Sequence, residues 1–220
     1  MLGAAAMVVL VAASCAPATR PPDPAALLAR AAENALAVTS LRFTLAREGE
    51  PVLLDPATGA RFSDASGEYR SPDRVRAKVK ASLGSFISTI ELIWIPEGVY
   101  ASDPLTGAFT RLRRAPALDP AALFGAAGLA GVLRDGMRNA TLVGTEKIED
   151  TDTYHVRGEV DGSRLRVLGG GTAVEGTHTV DVWIDRARLR VVRLHDREPS
   201  GSGWQLDLFD YGAPVEIEAP

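Results

Sequence analysis

Apolar and polar residues alternate along most of this 220-residue chain, which is the pattern of β-strands with one buried and one exposed face. The clearest case is residues 74–80, where Val75, Ala77 and Val79 alternate with arginine and lysine. Similar patterns bounded by turn-forming residues predict strands at 41–46, 86–95, 98–101, 109–112, 139–146, 153–160, 177–185, 189–196 and 204–211. Short sequential strands predict an antiparallel sheet in an α+β domain, and a sheet this large coils and needs cover on its concave side.

Two segments have helical spacing instead. Asp23 and Pro24 are residue types that begin helices, and residues 25–38 then place leucine and alanine on one face. Asp119 and Pro120 have the same arrangement inside the apolar segment 115–133. The sequence therefore predicts a first helix before the strands and a second helix between the two groups of strands.

The apolar segment is unusual because residues 121–133 are apolar on almost every side of a helix and contain Gly125, Gly128 and Gly131. A helix of this kind either lies buried in the core or faces an apolar ligand. Each glycine costs about 1 kcal/mol in a helix interior. Three glycines in so short a segment favour a piece that bends or moves, as a lid over a cavity would.

We expect an apolar cavity between this segment and the concave face of the sheet. A long-chain ligand needs no specific polar contact there, since burial of an acyl chain is worth about 0.8 kcal/mol per CH₂. The side chains expected to line the cavity are Phe43, Leu45, Val79, Ile90, Leu92, Trp94, Leu123, Phe124, Leu129, Val132, Val180, Val182 and Leu206.

The N-terminus predicts export. Residues 2–13 form an apolar run that is too short for a permanent membrane span and fits a secretory signal over residues 1–14. Small residues lead directly to Cys15, the only cysteine of the chain, in the manner of a bacterial lipobox. We therefore expect Cys15 to be lipidated, residues 15–23 to be a Pro-rich tether and residues 24–220 to be one domain. The alternative is an ordinary cleaved signal or anchor with a cysteine nearby by chance.

Candidate catalytic, metal and nucleotide sites are weak. His155, His178 and His195 lie on strand-like segments without a second histidine at metal-ligand spacing, so we interpret them as surface or half-buried histidines. Asp181 and Asp185 share one strand face, which we interpret as solvated, and the glycines at 169–171 lack the lysine of a phosphate loop. The net charge of −4 is scattered, which argues against nucleic acid as a partner. We expect no enzyme activity, no cofactor and no bound metal.

The chain resembles the LppX/LprG-type bacterial lipoproteins over roughly residues 24–218. The resemblance is carried by the Cys15 lipobox, the helix and strand at 25–45, the segment DPAALFGAAGLAGVL at 119–133, and the strands at 177–196 and 204–217. It implies a curved antiparallel half-barrel closed by helices around a large apolar cavity, with a fold like that of LolA and LolB. It also implies binding of lipids or lipid-linked glycans and their movement through the cell envelope.

The leading hypothesis is therefore a lipoprotein held on the extracytoplasmic face of the cell membrane that carries lipid or glycolipid. Its partners would be that ligand, the membrane that holds the N-terminal lipid, and an export transporter. The alternative is an envelope sensor or adaptor that binds a protein partner, such as a regulator or an export pump. An envelope hydrolase is a third hypothesis, which the weak candidate sites disfavour.

Overall fold

One open antiparallel sheet dominates the computed structural model, which describes residues 21–55, 59–113, 120–168 and 174–220. Twelve strands form the sheet within these ranges. They are β1 (Ser40–Glu48), β2 (Val52–Asp55), β3 (Ala60–Arg70), β4 (Arg74–Leu83), β5 (Phe86–Ile95), β6 (Gly98–Ser102), β7 (Phe109–Arg111), β8 (Arg138–Ile148), β9 (Thr151–Asp161), β10 (Thr177–Asp185), β11 (Val191–Arg197) and β12 (Gly203–Phe209). The predicted strands and the α+β class are confirmed, and the sheet has the curved half-barrel form.

The strands form two meanders that meet at the centre of the sheet. Their spatial order is β7-β6-β5-β4-β3-β1-β12-β11-β10-β9-β8, and β2 pairs with β3 off this path. The seam is the antiparallel pair of β1 with β12, in which Phe43 lies opposite Leu208 and Leu45 opposite Leu206. The first and last strands of the domain are therefore neighbours, and this seam exists only when both ends of the chain are in place.

The first helix, α1 (Pro24–Leu36), begins where the sequence predicts. The Asp23 carboxylate accepts a hydrogen bond from the backbone N–H of Ala25 at 3.2 Å, which caps the free amides at the helix start. The apolar face of α1 is buried over the β8 side of the sheet, with Leu28 3% exposed. Below it, the inward side chains of β9 and β10 form a closed core that includes Val156 and Val180, both fully buried.

The apolar middle segment is not one helix, which corrects the prediction. It contains α2 (Pro120–Leu123), α3 (Leu129–Gly131) and a π-helical turn (Val132–Gly136), while residues 114–119 lie outside the described chain. The break lets the chain fold back on itself. A Cβ atom on Gly128 would lie 2.1 Å from the carbonyl oxygen of Ala122, and one on Gly131 would lie 1.9 Å from that of Ala126. Gly128 and Gly131 thus allow a close backbone approach.

A fourth short helix, α4 (Gly162–Leu165), follows β9 and packs against it. Its start is capped by Asp161, whose carboxylate accepts from the backbone N–H of Ser163 at 2.9 Å. The helices of the described ranges all fall short of the length and apolar character that crossing a bilayer requires.

Candidate functional site: an apolar cavity

A cavity of about 120 Å³ lies between the central strands and the helical segments. Its floor comes from β1, β3, β4, β11 and β12, and its cover comes from the α2–α3 segment and from α4 with the turn after it. The lining residues are Phe43, Leu45, Tyr69, Val75, Leu123, Phe124, Leu129, Leu165, Leu168, Leu194, Asp196, Trp204, Leu206 and Leu208. All of them except Asp196 present apolar or aromatic side chains, so the cavity suits a hydrocarbon.

The period-two pattern of the seam strands builds the floor. Phe43 and Leu45 on β1 point to the same face as Leu206 and Leu208 on β12, because directly paired residues share a face. From above, the Phe124 ring meets the Tyr69 ring with centroids 4.6 Å apart. The contact between Phe124 and Tyr69 of β3 therefore packs the cover against the floor.

The residues that line the cavity differ in exposure. Val75, Tyr69 and Leu129 are at most 3% exposed. Trp204 and Leu168, near the start of β12 and the end of α4, are half-buried, and so are Leu123 and Phe124 in the cover.

Two buried pairs of polar side chains lie beside the cavity wall. Arg47 Nη2 donates to Glu198 Oε2 at 2.9 Å, with the two side chains 6% and 1% exposed. The Arg47 guanidinium also lies 5.0 Å from the centroid of the Trp204 ring. The hydrogen bond from Arg47 holds the pKa of the Glu198 carboxyl below its ordinary value, because the bond favours the ionised form.

The second buried pair is His178 with Asp196. Their side chains approach to 2.7 Å between Nδ1 and Oδ1, and His178 is fully buried. The other ring nitrogen of His178 lies 2.8 Å from the Val174 carbonyl oxygen, to which it donates. Burial raises the pKa of Asp196, and the contact with His178 opposes that rise.

The structure brings some of the predicted lining residues together at this cavity and leaves the others elsewhere. Those in the cavity wall are Phe43, Leu45, Leu123, Phe124, Leu129 and Leu206. Those outside it are Val79, Ile90, Leu92, Trp94, Val132, Val180 and Val182. Val132, Val180 and Val182 lie in the closed core under α1, each at most 1% exposed.

The cavity reaches β4 at Val75 but does not extend along that strand to Val79 or across the sheet to β5. Val79 and Leu92 pack against the core while partly exposed, and Trp94 is 7% exposed. Ile90 is half-buried on a strand that leaves the helical cover towards its start, where Phe86 is 77% exposed. Their inward parity is correct, but parity does not give how far the cavity extends along a strand or across the sheet.

Sequence reasoning missed the remaining lining residues. Trp204 and Leu208 share the strand parity of Leu206, which was available as a signal. Leu165 lies on α4 and Leu168 follows it, and the strand pattern of the sequence did not predict this helix. Asp196 has the same parity as Leu194 on β11, so it is a polar residue at an inward position.

The interpretation of Asp181 as solvated is wrong. Its carboxylate is fully buried on the opposite face of β10, where it accepts from Arg157 Nε at 2.8 Å and lies 2.6 Å from His155 Nε2. The Arg197 guanidinium, 3.3 Å away, completes this cluster. Asp185 is also buried, at 8% exposed, and it accepts hydrogen bonds from the backbone N–H groups of Ala187 and Arg188 in the turn after β10.

The histidines and the glycine loop can be placed as follows. His155 and His178 are 8% and 0% exposed, so both are more buried than the sequence indicated. Across the described ranges, no three His, Cys, Asp or Glu side chains converge as a metal site would require. Cys15 and the glycines at 169–171 lie outside the described residues.

Comparison with known proteins adds a family and a fold. The sequence profile of the LppX_LprAFG lipoproteins matches residues 23–217. Comparison with curated protein sequences finds no match. Among solved structures, LprF from Mycobacterium bovis is similar with a TM-score of 0.72 at 17% identity, over 90% of this chain and 96% of that one. LppX from Mycobacterium tuberculosis gives a TM-score of 0.63 at 20% identity, over 90% of this chain and 100% of that one.

Proposed function

The chain belongs to the LppX_LprAFG lipoprotein family, and from this premise we propose that it is a membrane-anchored carrier of lipid in the cell envelope. The observation that supports this most directly is the apolar cavity at the seam of the sheet, with one charged residue in its wall. The cavity favours a lipid ligand over the sensor or adaptor alternative, which would need a partner surface and not an interior space. A lipid or a lipid-linked glycan would place its acyl part between the sheet and the α2–α3 segment.

The size of the cavity sets how a ligand would fit. Its volume of about 120 Å³ is below the roughly 300–1,000 Å³ of typical ligand pockets. In this conformation it accommodates part of one acyl chain. Half-buried Leu123 and Phe124 form the cover, and their displacement would join the cavity to the surface. We propose that the α2–α3 segment moves as a unit to admit longer or multiple chains.

The membrane anchor would be Cys15, after removal of residues 1–14. A single acyl chain binds a membrane only marginally, whereas two or more chains hold firmly. The chain between Cys15 and the start of α1 spans at most roughly 3.3–3.6 Å per residue. Such a tether would keep the cavity beside the bilayer that supplies or receives the lipid, on the extracytoplasmic face. An export transporter would be a partner in this arrangement.

Lipid extraction tests the carrier function. The full chain would be produced in a bacterium that lipidates it, purified from membranes without delipidating steps, and extracted for mass spectrometry. We expect a stoichiometric acyl lipid in addition to the covalent anchor. Leu206→Trp fills the cavity floor and should reduce the bound lipid several-fold, whereas Gln205→Trp places the same ring on the opposite face of β12 and should leave it unchanged.

Thermal melting of both variants checks that they are folded. A wild-type protein that is repeatedly free of non-covalent lipid would refute the carrier function. If the two tryptophan variants hold equal amounts of lipid, the lipid binds somewhere other than this cavity.

A further inference from the structure

Among the described residues that line the cavity, Asp196 is the one with a carboxyl group. It is 5% exposed and lies on β11 at the same parity as Leu194, which also lines the wall. Its Oδ1 atom is held by His178 at 2.7 Å, and the far side of that ring is held by the Val174 carbonyl oxygen. Both ring nitrogens of His178 are therefore occupied, and the carboxyl group is fixed in place from behind.

The second carboxyl oxygen, Oδ2, has no hydrogen-bond partner among the described residues. Across all the described residues, Trp94 Nε1 is the one fully buried side-chain nitrogen or oxygen atom that has no hydrogen-bond partner. Asp196 Oδ2 is not such an atom, so it keeps some accessible surface, and the cavity that Asp196 lines is the space that can provide it. An acceptor in this position lacks its donor, which burial makes unfavourable.

The surroundings define which donor fits. None of the described lining residues is cationic, and Arg47, which contacts the Trp204 ring, is paired with Glu198 through two hydrogen bonds. An anionic headgroup would find no free positive partner among these residues, and Glu198 is a second carboxylate close enough to act on Asp196. A neutral hydroxyl group satisfies Oδ2 without adding charge, while the carbon chain next to it contacts the apolar wall.

Resting on the lipid-binding function proposed above, we propose that Asp196 Oδ2 accepts a hydrogen bond from a hydroxyl group of the bound lipid, and that the cavity therefore selects hydroxyl-bearing lipids. His178 is a positioning residue in this arrangement, since it holds the carboxyl group and does not reach the ligand itself. The selected class is a long-chain lipid whose hydroxyl group lies next to its hydrocarbon.

Two matched probes test this site with the full chain. 1-Dodecanol donates a hydrogen bond, whereas 1-methoxydodecane only accepts one, and both have the same twelve-carbon chain. Each would displace Nile red, a neutral dye, from the protein, and the ratio of their dissociation constants is the readout. The ratio of the two probes in partition between water and hexadecane is the reference value. We expect the wild-type protein to favour the alcohol over that reference by roughly tenfold or more, since a hydrogen bond to a carboxylate is stronger than one between neutral groups.

Asp196→Leu should bring the ratio of dissociation constants back to the hexadecane value. Asp64→Leu is the matched control and should keep the wild-type ratio, because Asp64 pairs with Lys80 on the opposite, more exposed face of the sheet. If Asp196→Leu fails to fold, the wild-type ratio still decides, because a hexadecane-like ratio would overturn the hydroxyl site. Equal ratios in wild type and a folded Asp196→Leu would do the same. If neither probe binds the wild-type protein, the lipid-binding function itself fails, which is a different result from binding without selectivity.

Discussion

A pair of glycine substitutions distinguishes a packed cover from a flexible one. A Cβ atom on Gly128 would lie 2.1 Å from the carbonyl oxygen of Ala122 and 2.2 Å from that of Leu123. Both contacts are to backbone atoms, so no side chain can rotate away, and the two turns must separate by more than 1 Å. On Gly125 the nearest atom would be 3.6 Å away, which is an ordinary contact.

The two substitutions should therefore have opposite effects on the free energy of unfolding. Forced overpacking costs about 1–3 kcal/mol, so Gly128→Ala should lower Tm by roughly 2–12 °C for a domain of this size. Gly125→Ala restricts the unfolded chain without a clash and should raise stability by about 0.4–1 kcal/mol. Urea unfolding followed by far-UV circular dichroism measures both values on the same scale. If Gly128→Ala is tolerated as well as Gly125→Ala, the glycines serve flexibility, and the packing argument for the α2–α3 segment is wrong.

Two further predictions concern charge and the anchor. Glu198→Gln removes one member of a buried ion pair, which should cost about 3 kcal/mol at neutral pH, whereas Glu33→Gln, in an exposed pair, should change stability by under 1 kcal/mol. The folded-state pKa of Glu198 is depressed, so its contribution to stability is present above the ordinary glutamate pKa of about 4.3 and is lost as the pH falls through the folded-state pKa. The free energies of unfolding of wild type and variant, measured with urea, should therefore become equal in acid. A difference between them that stays constant with pH would contradict this. Cys15→Ser should abolish incorporation of labelled palmitate and release the protein from the membrane fraction, while Ser14→Ala should retain both; labelling that persists in Cys15→Ser would place the lipid elsewhere.

The strands were readable from the sequence because each half-buried strand has its own period of two. The cavity was only partly readable, because parity gives the face of a residue and not its distance from the seam. Val180 and Leu206 have the same alternating pattern, yet Val180 lies in closed core and Leu206 lines the cavity. That difference depends on the pairing of β1 with β12, a contact between residues more than 150 positions apart. Such long-range pairing is not encoded in any local pattern.

Polar residues at inward positions were the signal that sequence reasoning undervalued. His178 and Asp196 each lie at the end of an apolar row on one strand face. His178 was interpreted as a surface or half-buried histidine, and Asp196 was not considered. Because burial of such groups is unfavourable without a partner, two of them on neighbouring strands indicate that they pair. The register confirms that β10 and β11 are neighbours, and that His178 and Asp196 lie within reach of each other across them.

The position of the cavity connects ligand binding to the stability of the whole domain. Its floor is the seam between the N-terminal and C-terminal strands, so the space forms only after the most distant parts of the chain have met. An unfilled apolar space there lacks the dispersion contacts that a packed core would have, so we expect the seam to be less stable than the closed core under α1. A lipid that fills the space restores those contacts and binds only the folded chain, so it stabilises the domain by an amount that grows with the logarithm of its concentration above the dissociation constant. Release of the lipid would then be assisted by whatever loosens the seam or lifts the α2–α3 cover, which places the control of unloading in the same elements that build the cavity.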